Sequence, residues 1–159
     1  MRVHLNGGQE ATEDEISKLE SCIGMPLDGE FRKFVTQYDG AEPESNSFPV
    51  GGRDHVGNVE KFISVKNIPL EREYIDDISA QSYPVAISSG GNYVLLDQHR
   101  GGAVYFWDHE VPGGTTKIAE GFTAFLDMIQ PFDESSVQPA PGQVKSAWID
   151  PDFLKQFGG

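Results

Sequence analysis

Cysteine, basic side chains and long apolar runs are all scarce in this sequence. One cysteine among 159 residues cannot form an intramolecular disulfide, which is typical of proteins from a reducing compartment. No window approaches the ~20 consecutive apolar residues of a membrane-spanning helix, and the first residues are too polar for a signal peptide. We therefore expect a cytoplasmic protein that does not cross a membrane.

Positive charge is the scarcest feature. Lys and Arg number 12 against 25 Asp and Glu, which gives a formal net charge of −13 at pH 7. Binding to nucleic acid or to an anionic membrane depends on clustered Lys and Arg, so we expect neither as a partner. The acidic residues are spread along the chain. Their excess fits two interpretations: a solubility device, or a negative face that binds a basic protein.

The length indicates one globular domain with its own core, and hydrophobic periodicity predicts its helices. Thr12 and Glu15 have the spacing of a capping box. The apolar stripe of a helix follows at Ile16, Leu19 and Ile23. Cys22 adjoins this stripe, so we expect a small buried side chain there. Three further helices are predicted at about residues 28–38, 70–78 and 122–129.

Apolar runs between turn residues predict the sheet. Segments 85–87, 93–97 and 103–107 are separated by turns rich in glycine, so we expect three consecutive antiparallel strands. We expect the side chains of Tyr105 to Trp107 to pack in the core on alternate sides of the last strand rather than to stack on a ligand. Asp97 is expected to cap the following turn. The sequence thus predicts an α+β domain whose central sheet, mostly antiparallel or mixed, is covered by helices.

No set of residues has the spacing of a catalytic or metal site. Asp108, His109 and Glu110 are the most enzyme-like group, but neighbours at a strand end point to opposite faces, so a solvated loop explains them better. The histidines lack metal-clip spacing, and residues 88–92 match neither a nucleophile elbow nor a phosphate loop. Composition and spacing therefore indicate no catalytic set, and we expect no cofactor or metal. An enzyme built on Asp97, His109 and Glu110 is kept as an alternative.

Four stretches, taken in order, carry a family resemblance. They are Ile16–Glu20 with Ile23–Gly24; Met25–Pro26 through Val35 to Tyr38–Gly40; Pro84–Ile87 with Gly90–Asn92 and Leu96–Asp97, followed by Gly102–Glu110; and Ala119–Leu126. This order resembles the SUKH superfamily, in the branch related to the fungal Smi/Knr regulator of cell-wall glucan synthesis. The resemblance covers about residues 12 to 130. Asp39 departs from it, because that position more usually holds Asn.

The resemblance implies an α+β protein-binding domain without enzymatic activity. Bacterial members are viewed as immunity proteins that neutralise toxin domains, often nucleases, and fungal members act in cell-wall signalling. We expect an immunity protein, with a regulatory scaffold of cell-wall synthesis as the alternative. Residues 1–130 are expected to form the domain, and 131–159 a proline-containing extension with a short docking helix.

Acidic side chains are the predicted contacts with a basic toxin domain, because such toxins expose basic substrate clefts. The first group is Glu71, Glu73, Asp76 and Asp77. The second group is Asp108 and Glu110, at the end of a predicted strand. The oligomeric state is left open.

Overall fold

A five-stranded antiparallel sheet forms the centre of the computed structural model, which describes residues 4–50, 56–75, 78–111 and 114–130. Two short antiparallel pairs precede it, β1 (Leu5–Asn6) with β2 (Glu42–Pro43) and β3 (Ser47–Pro49) with β4 (Val56–Asn58). The central sheet has the order β5 (Lys61–Phe62), β6 (Ser82–Ser88), β7 (Asn92–Asp97), β8 (Ala103–Trp107) and β9 (Thr115–Ala119). The predicted α+β fold is confirmed, and the named strand pairs are all antiparallel.

In the described ranges, four α-helices accompany the sheet: α1 (Glu13–Ile23), α2 (Gly29–Tyr38), α3 (Ile68–Arg72) and α4 (Phe122–Met128). The predicted capping box of α1 is confirmed, since Glu15 N–H donates to Thr12 Oγ1 at 3.1 Å and Thr12 N–H donates to the Glu15 carboxylate at 3.0 Å. Asp28 caps α2 by accepting from the N–H of Phe31 at 3.0 Å. Both helices therefore begin where local side-chain chemistry satisfies their first N–H groups.

The main core lies between the helices and one face of the sheet, which we call the inner face. Phe122 of α4 packs on Phe31 and Phe34 of α2 at ring-centroid distances of 5.1 and 5.0 Å. Phe34 also lies 4.9 Å from Phe62 of β5, and Phe31 lies 5.7 Å from Tyr83 of β6. These contacts hold α2 and α4 against the sheet. Truncating one of these buried rings to alanine typically costs about 3–5 kcal/mol.

The helix predicted over residues 70–78 is wrong in its position. It begins two residues earlier because Pro69 lies in its first turn, where the missing N–H of proline leaves no helical bond unmade. After Arg72, the N–H groups of Tyr74 and Ile75 donate to carbonyls three residues back, at 3.0 and 3.2 Å. The chain thereby tightens into a turn and the helix ends. Ile75 is buried by this turn, while Tyr74 is 64% exposed.

Cys22 is exposed, so the expectation of a buried cysteine is wrong. A helix advances about 100° per residue, and this places Cys22 about 90° from the centre of the stripe formed by Ile16, Leu19 and Ile23. Those three side chains are buried, as predicted. Cys22 is therefore adjacent to Ile23 in sequence, but its side chain lies on a different, exposed side of the helix.

The opposite face of the sheet, the outer face, carries Tyr93 and Leu95 of β7 beside Trp107 and Tyr105 of β8, which are their direct cross-strand partners. Phe106 points the other way and packs 6.1 Å from Phe48. The predicted alternation along β8 is therefore confirmed, but Tyr105 and Trp107 are only half-buried.

Two further predictions concern the ends of the chain and the membrane. Residues 131–159 lie outside the described residues, so the predicted extension and its docking helix stay predictions. Over the ranges that the structure describes, no helix is long and apolar enough to cross a membrane.

Candidate protein-interaction surface

Three rings form a row on the outer face, where β7 begins and β8 ends. Tyr93 and Trp107 are paired across the two strands, with ring centroids 6.0 Å apart. His109 follows two residues after Trp107, and their ring centroids are 6.4 Å apart. We call these three residues the aromatic row. Tyr93 and Trp107 are half-buried and His109 is exposed, so the row is accessible to a partner.

The turn between β6 and β7 holds His109 in place. The Asn92 side-chain oxygen accepts from the backbone N–H of His109 at 3.1 Å and lies 2.9 Å from its ring Nδ1. Gly91 has a φ of 86°, and a Cβ at this position would lie 3.3 Å from the imidazole. A side chain at residue 91 would therefore crowd the histidine ring as well as strain the backbone. The glycine-rich turn predicted from the sequence thus shapes the end of the aromatic row.

Glu71 joins α3 to the aromatic row. The Tyr93 hydroxyl donates to Glu71 Oε1 at 2.6 Å, a distance typical of a hydrogen bond to a charged acceptor. Burial raises the pKa of Tyr93, and the hydrogen bond to the Glu71 carboxylate raises it further. Tyr93 therefore remains protonated at neutral pH and holds the carboxylate at one end of the row.

Exposed apolar side chains occur in both segments that reach the row, namely α3 with the turn after it and the residues that follow β8. Leu70 of α3 and Tyr74 in the turn after it are 58% and 64% exposed; we call them the exposed pair. Val111, two residues beyond His109, is 50% exposed. Among the residues that the structure describes, these are three of the four large apolar side chains classed as exposed. Exposed apolar groups gathered in this way, with polar neighbours, are typical of interaction sites.

The structure places four of the six acidic residues predicted as contacts, while Asp76 and Asp77 lie outside the described residues. Glu71 contacts the row directly, and Glu73 is exposed at the end of α3. Asp108 and Glu110 lie on either side of His109, where an Asp108 oxygen accepts from the Glu110 N–H at 3.0 Å. The aromatic row therefore links the two predicted groups, which are distant in sequence.

Within the described part of the chain, no cation pairs with the acids of this surface. Glu71, Glu73, Asp108 and Glu110 form no ion pair with any described residue. Arg72, the cation between the first two, donates its hydrogen bonds to the backbone carbonyls of residues 79, 80 and 82. The surface is thus an aromatic centre with a negative border.

The alternative catalytic group is not assembled in the structure. Asp97 pairs with Ala103 at the start of β8, whereas His109 follows the end of the same strand. The four steps from Ala103 to Trp107 alone span about 13 Å at ~3.3 Å per residue. Asp97 instead caps its turn, as predicted, by accepting from the N–H of His99 at 2.9 Å. Its carboxylate also accepts from the Ser79 hydroxyl at 3.3 Å.

Within the described ranges, no group of three or more His, Cys, Asp or Glu side chains is placed to hold a metal ion.

Sequence reasoning identified the acids of the surface but not its aromatic centre. Trp107 was assigned to core packing, because the run from Tyr105 to Trp107 is apolar at every position. The alternation of side chains along a strand places Trp107 and Phe106 on opposite faces of the sheet. The same alternation places Tyr93 and Leu95 on one common face. This pattern indicates a second apolar face, but the pairing of Tyr93 with Trp107 depends on the register of two strands.

Comparison with known proteins places this fold in a family. The family model described as the SMI1 / KNR4 family (SUKH-1) matches residues 10–128, which include α1 to α4 and the central sheet. The SPbeta prophage-derived uncharacterized protein YokK of Bacillus subtilis (strain 168) is 26% identical over 122 residues. That match covers 63% of this chain and 63% of the relative, less than two thirds of the relative's length. The chain belongs to the SMI1 / KNR4 family (SUKH-1).

Proposed function

We propose that this chain is a non-enzymatic protein-binding domain that acts as a bacterial immunity protein. It binds a basic, nuclease-type toxin domain and neutralises it by covering the cleft that would hold the toxin's substrate. The observation that carries the proposal is the outer-face surface, where an accessible aromatic row is bordered by four carboxylates without ion pairs among the described residues. The family supports a binding role of this kind.

Electrostatics favour a basic partner for this surface. The net charge of −13 attracts a positively charged protein over distances of about one Debye length, ~8 Å at physiological salt. Complementary charge at the border of an interface mainly raises the association rate. Partly buried aromatic groups at the centre supply much of the affinity. The surface combines both features, and a nuclease cleft that binds phosphates presents the matching positive charge.

The test is a search of the neighbouring genes for a basic toxin domain, followed by measurement of its binding to this chain at several salt concentrations. Glu71→Gln/Glu73→Gln removes two charges from the surface, and we expect it to weaken binding about tenfold, equivalent to ~1.4 kcal/mol. Glu42→Gln/Glu44→Gln is the matched control, since it removes two exposed charges from β2 and the residue after its end. We expect the control to retain most of the affinity.

Two results would oppose the proposal. If both charge pairs weakened binding equally, the acids on α3 would contribute only to the overall charge. If association were insensitive to salt, the partner would not be recognised by charge, and the alternative of a regulatory scaffold in cell-wall synthesis would be favoured.

A further inference from the structure

We infer that the aromatic row and the exposed pair bind an arginine-bearing segment of the partner, with a guanidinium stacked on the Tyr93–Trp107 ring pair and paired with Glu71. This inference rests on the proposed function for the existence of a basic protein partner. It adds which side chain of the partner is recognised and which residues of the surface contact it.

The arrangement of two aromatic rings next to a carboxylate can bind a guanidinium. Tyr93 lies between Glu71, bonded to its hydroxyl at 2.6 Å, and Trp107, whose ring centroid is 6.0 Å away. A planar cation on this row contacts an aromatic face and a carboxylate together. Arginine does both, because its guanidinium is planar, weakly hydrated and able to form paired hydrogen bonds.

One carboxylate oxygen of Glu71 is available to accept a hydrogen bond from the partner. Its Oε1 accepts from the Tyr93 hydroxyl, whereas its Oε2 has no hydrogen bond to any residue that the structure describes. The hydrogen bond from Tyr93 fixes the carboxylate, so a guanidinium meets an acceptor whose side chain is already held in place. Such pre-organisation lowers the entropic cost of binding.

The exposed pair extends the surface beyond a single arginine. Leu70 and Tyr74 flank Glu71 in sequence and are more than half exposed. Val111 follows His109 by two residues and is half exposed. A segment that places an arginine on the Tyr93–Trp107 ring pair and apolar groups on either side of it would contact these side chains as well. The acids Glu73 and Glu110 repel a negatively charged segment, so the segment that binds here must carry positive charge.

The experiment uses the full chain with Trp148→Phe, so that Trp107 remains as the sole tryptophan of the two in the sequence. Hexa-arginine, hexa-lysine and the neutral analogue hexa-citrulline are titrated at a fixed salt concentration. Trp107 fluorescence and its indole N–H resonance report binding. We expect a saturable change with hexa-arginine, about threefold weaker binding of hexa-lysine, and no change with hexa-citrulline.

Surface variants then locate the contact. Tyr74→Ala and Glu71→Gln change exposed or half-exposed groups, and each is expected to weaken hexa-arginine binding at least about threefold. Glu42→Gln/Glu44→Gln, the matched charge control, is expected to leave it nearly unchanged. The thermal midpoint of each variant shows whether its fold is retained, and Leu70→Ser serves as a second surface variant if Tyr74→Ala is unstable.

The inference is overturned if hexa-lysine and hexa-arginine bind equally, if Trp107 does not respond, or if the control pair weakens binding as much as Glu71→Gln. Each of these results indicates diffuse attraction to a negative protein. Its failure is distinguishable from failure of the proposed function. A chain that neutralises the toxin with Tyr74→Ala in place refutes only the surface, whereas arginine binding without neutralisation refutes only the immunity role.

Discussion

Asp39 offers a quantitative test of how the fold positions α3, the helix that carries part of the surface. Its side chain is nearly buried, and the residue is 7% exposed. The carboxylate accepts from the Val65 N–H at 2.8 Å. Val65 begins the 3-10 turn that leads into α3. The backbone N–H and carbonyl of Asp39 pair with Gln9 at 2.9 and 3.0 Å. This residue therefore ties the end of α2 to the entry of α3.

Two substitutions separate the hydrogen bond from the charge. Asp39→Ala and Asp39→Asn both remove the charge, but only asparagine keeps an oxygen for the Val65 N–H. Val65 is fully buried, so the alanine variant leaves a buried donor unpaired, at a cost of about 1–3 kcal/mol. We expect the alanine variant to be less stable than the asparagine variant by this amount. With an m-value of ~2 kcal/mol/M, the urea midpoints differ by about 0.5–1.5 M.

The comparison of wild type with Asp39→Asn tests the charge. Burial raises the pKa of Asp39 above its ordinary value of 3.8, and this outweighs the hydrogen bond from Val65, which lowers it. The folded protein then holds this proton more tightly than the unfolded chain does. The contribution of Asp39 to stability is therefore lost as the pH rises above about 3.8 and through its folded pKa. We expect Asp39→Asn to lose less stability than wild type between pH 4 and pH 7.

Urea unfolding of the three proteins at pH 4.5 and pH 7, followed by circular dichroism, measures both effects. The reasoning about the hydrogen bond is refuted if the alanine variant is as stable as the asparagine variant. The reasoning about the charge is refuted if Asp39→Asn and wild type show the same change of stability with pH.

Three further substitutions or titrations test single contacts. Gly91→Ala should lower the free energy of unfolding by about 1–2 kcal/mol, because its φ is positive and its methyl group would crowd His109; an unchanged urea midpoint would contradict this. Cys22→Ser should change stability by less than about 0.5 kcal/mol, and Cys22 should react with a thiol reagent in the folded protein because it is exposed. The absorbance titration of Tyr93 should lie above the usual tyrosine range, and Glu71→Gln should shift it downwards; no shift would mean that the 2.6 Å bond is not made in solution.

Local chemistry explains what could be predicted from the sequence. The capping box of Thr12 and Glu15, the cap at Asp28, and the positive φ of Gly90 and Gly91 depend on neighbours within a few residues. Their structural consequences were therefore visible without the fold. The capping role of Asp97 was predicted for the same reason, since its acceptor group and the His99 N–H are two residues apart.

Contacts between distant segments explain what was missed. Glu71 was predicted as a contact residue for its charge, but its bond to Tyr93 joins segments 22 residues apart. The place of Trp107 beside Tyr93 follows from strand register. The helix predicted over residues 70–78 is wrong in its position because Pro69 lies in the first turn of α3, where a proline is compatible with a helix. These features depend on packing that no single segment specifies.

Protection of growth tests the central claim most directly, namely that this chain neutralises a basic toxin domain through its outer-face surface. A basic toxin domain found among the neighbouring genes is expressed in cells together with wild type, with Glu71→Gln/Tyr74→Ala, or with the control Glu42→Gln/Glu44→Gln, at matched levels. Wild type and the control should restore growth, and the surface variant should not. Cell death in the presence of wild type, or equal protection by all three proteins, would contradict the account.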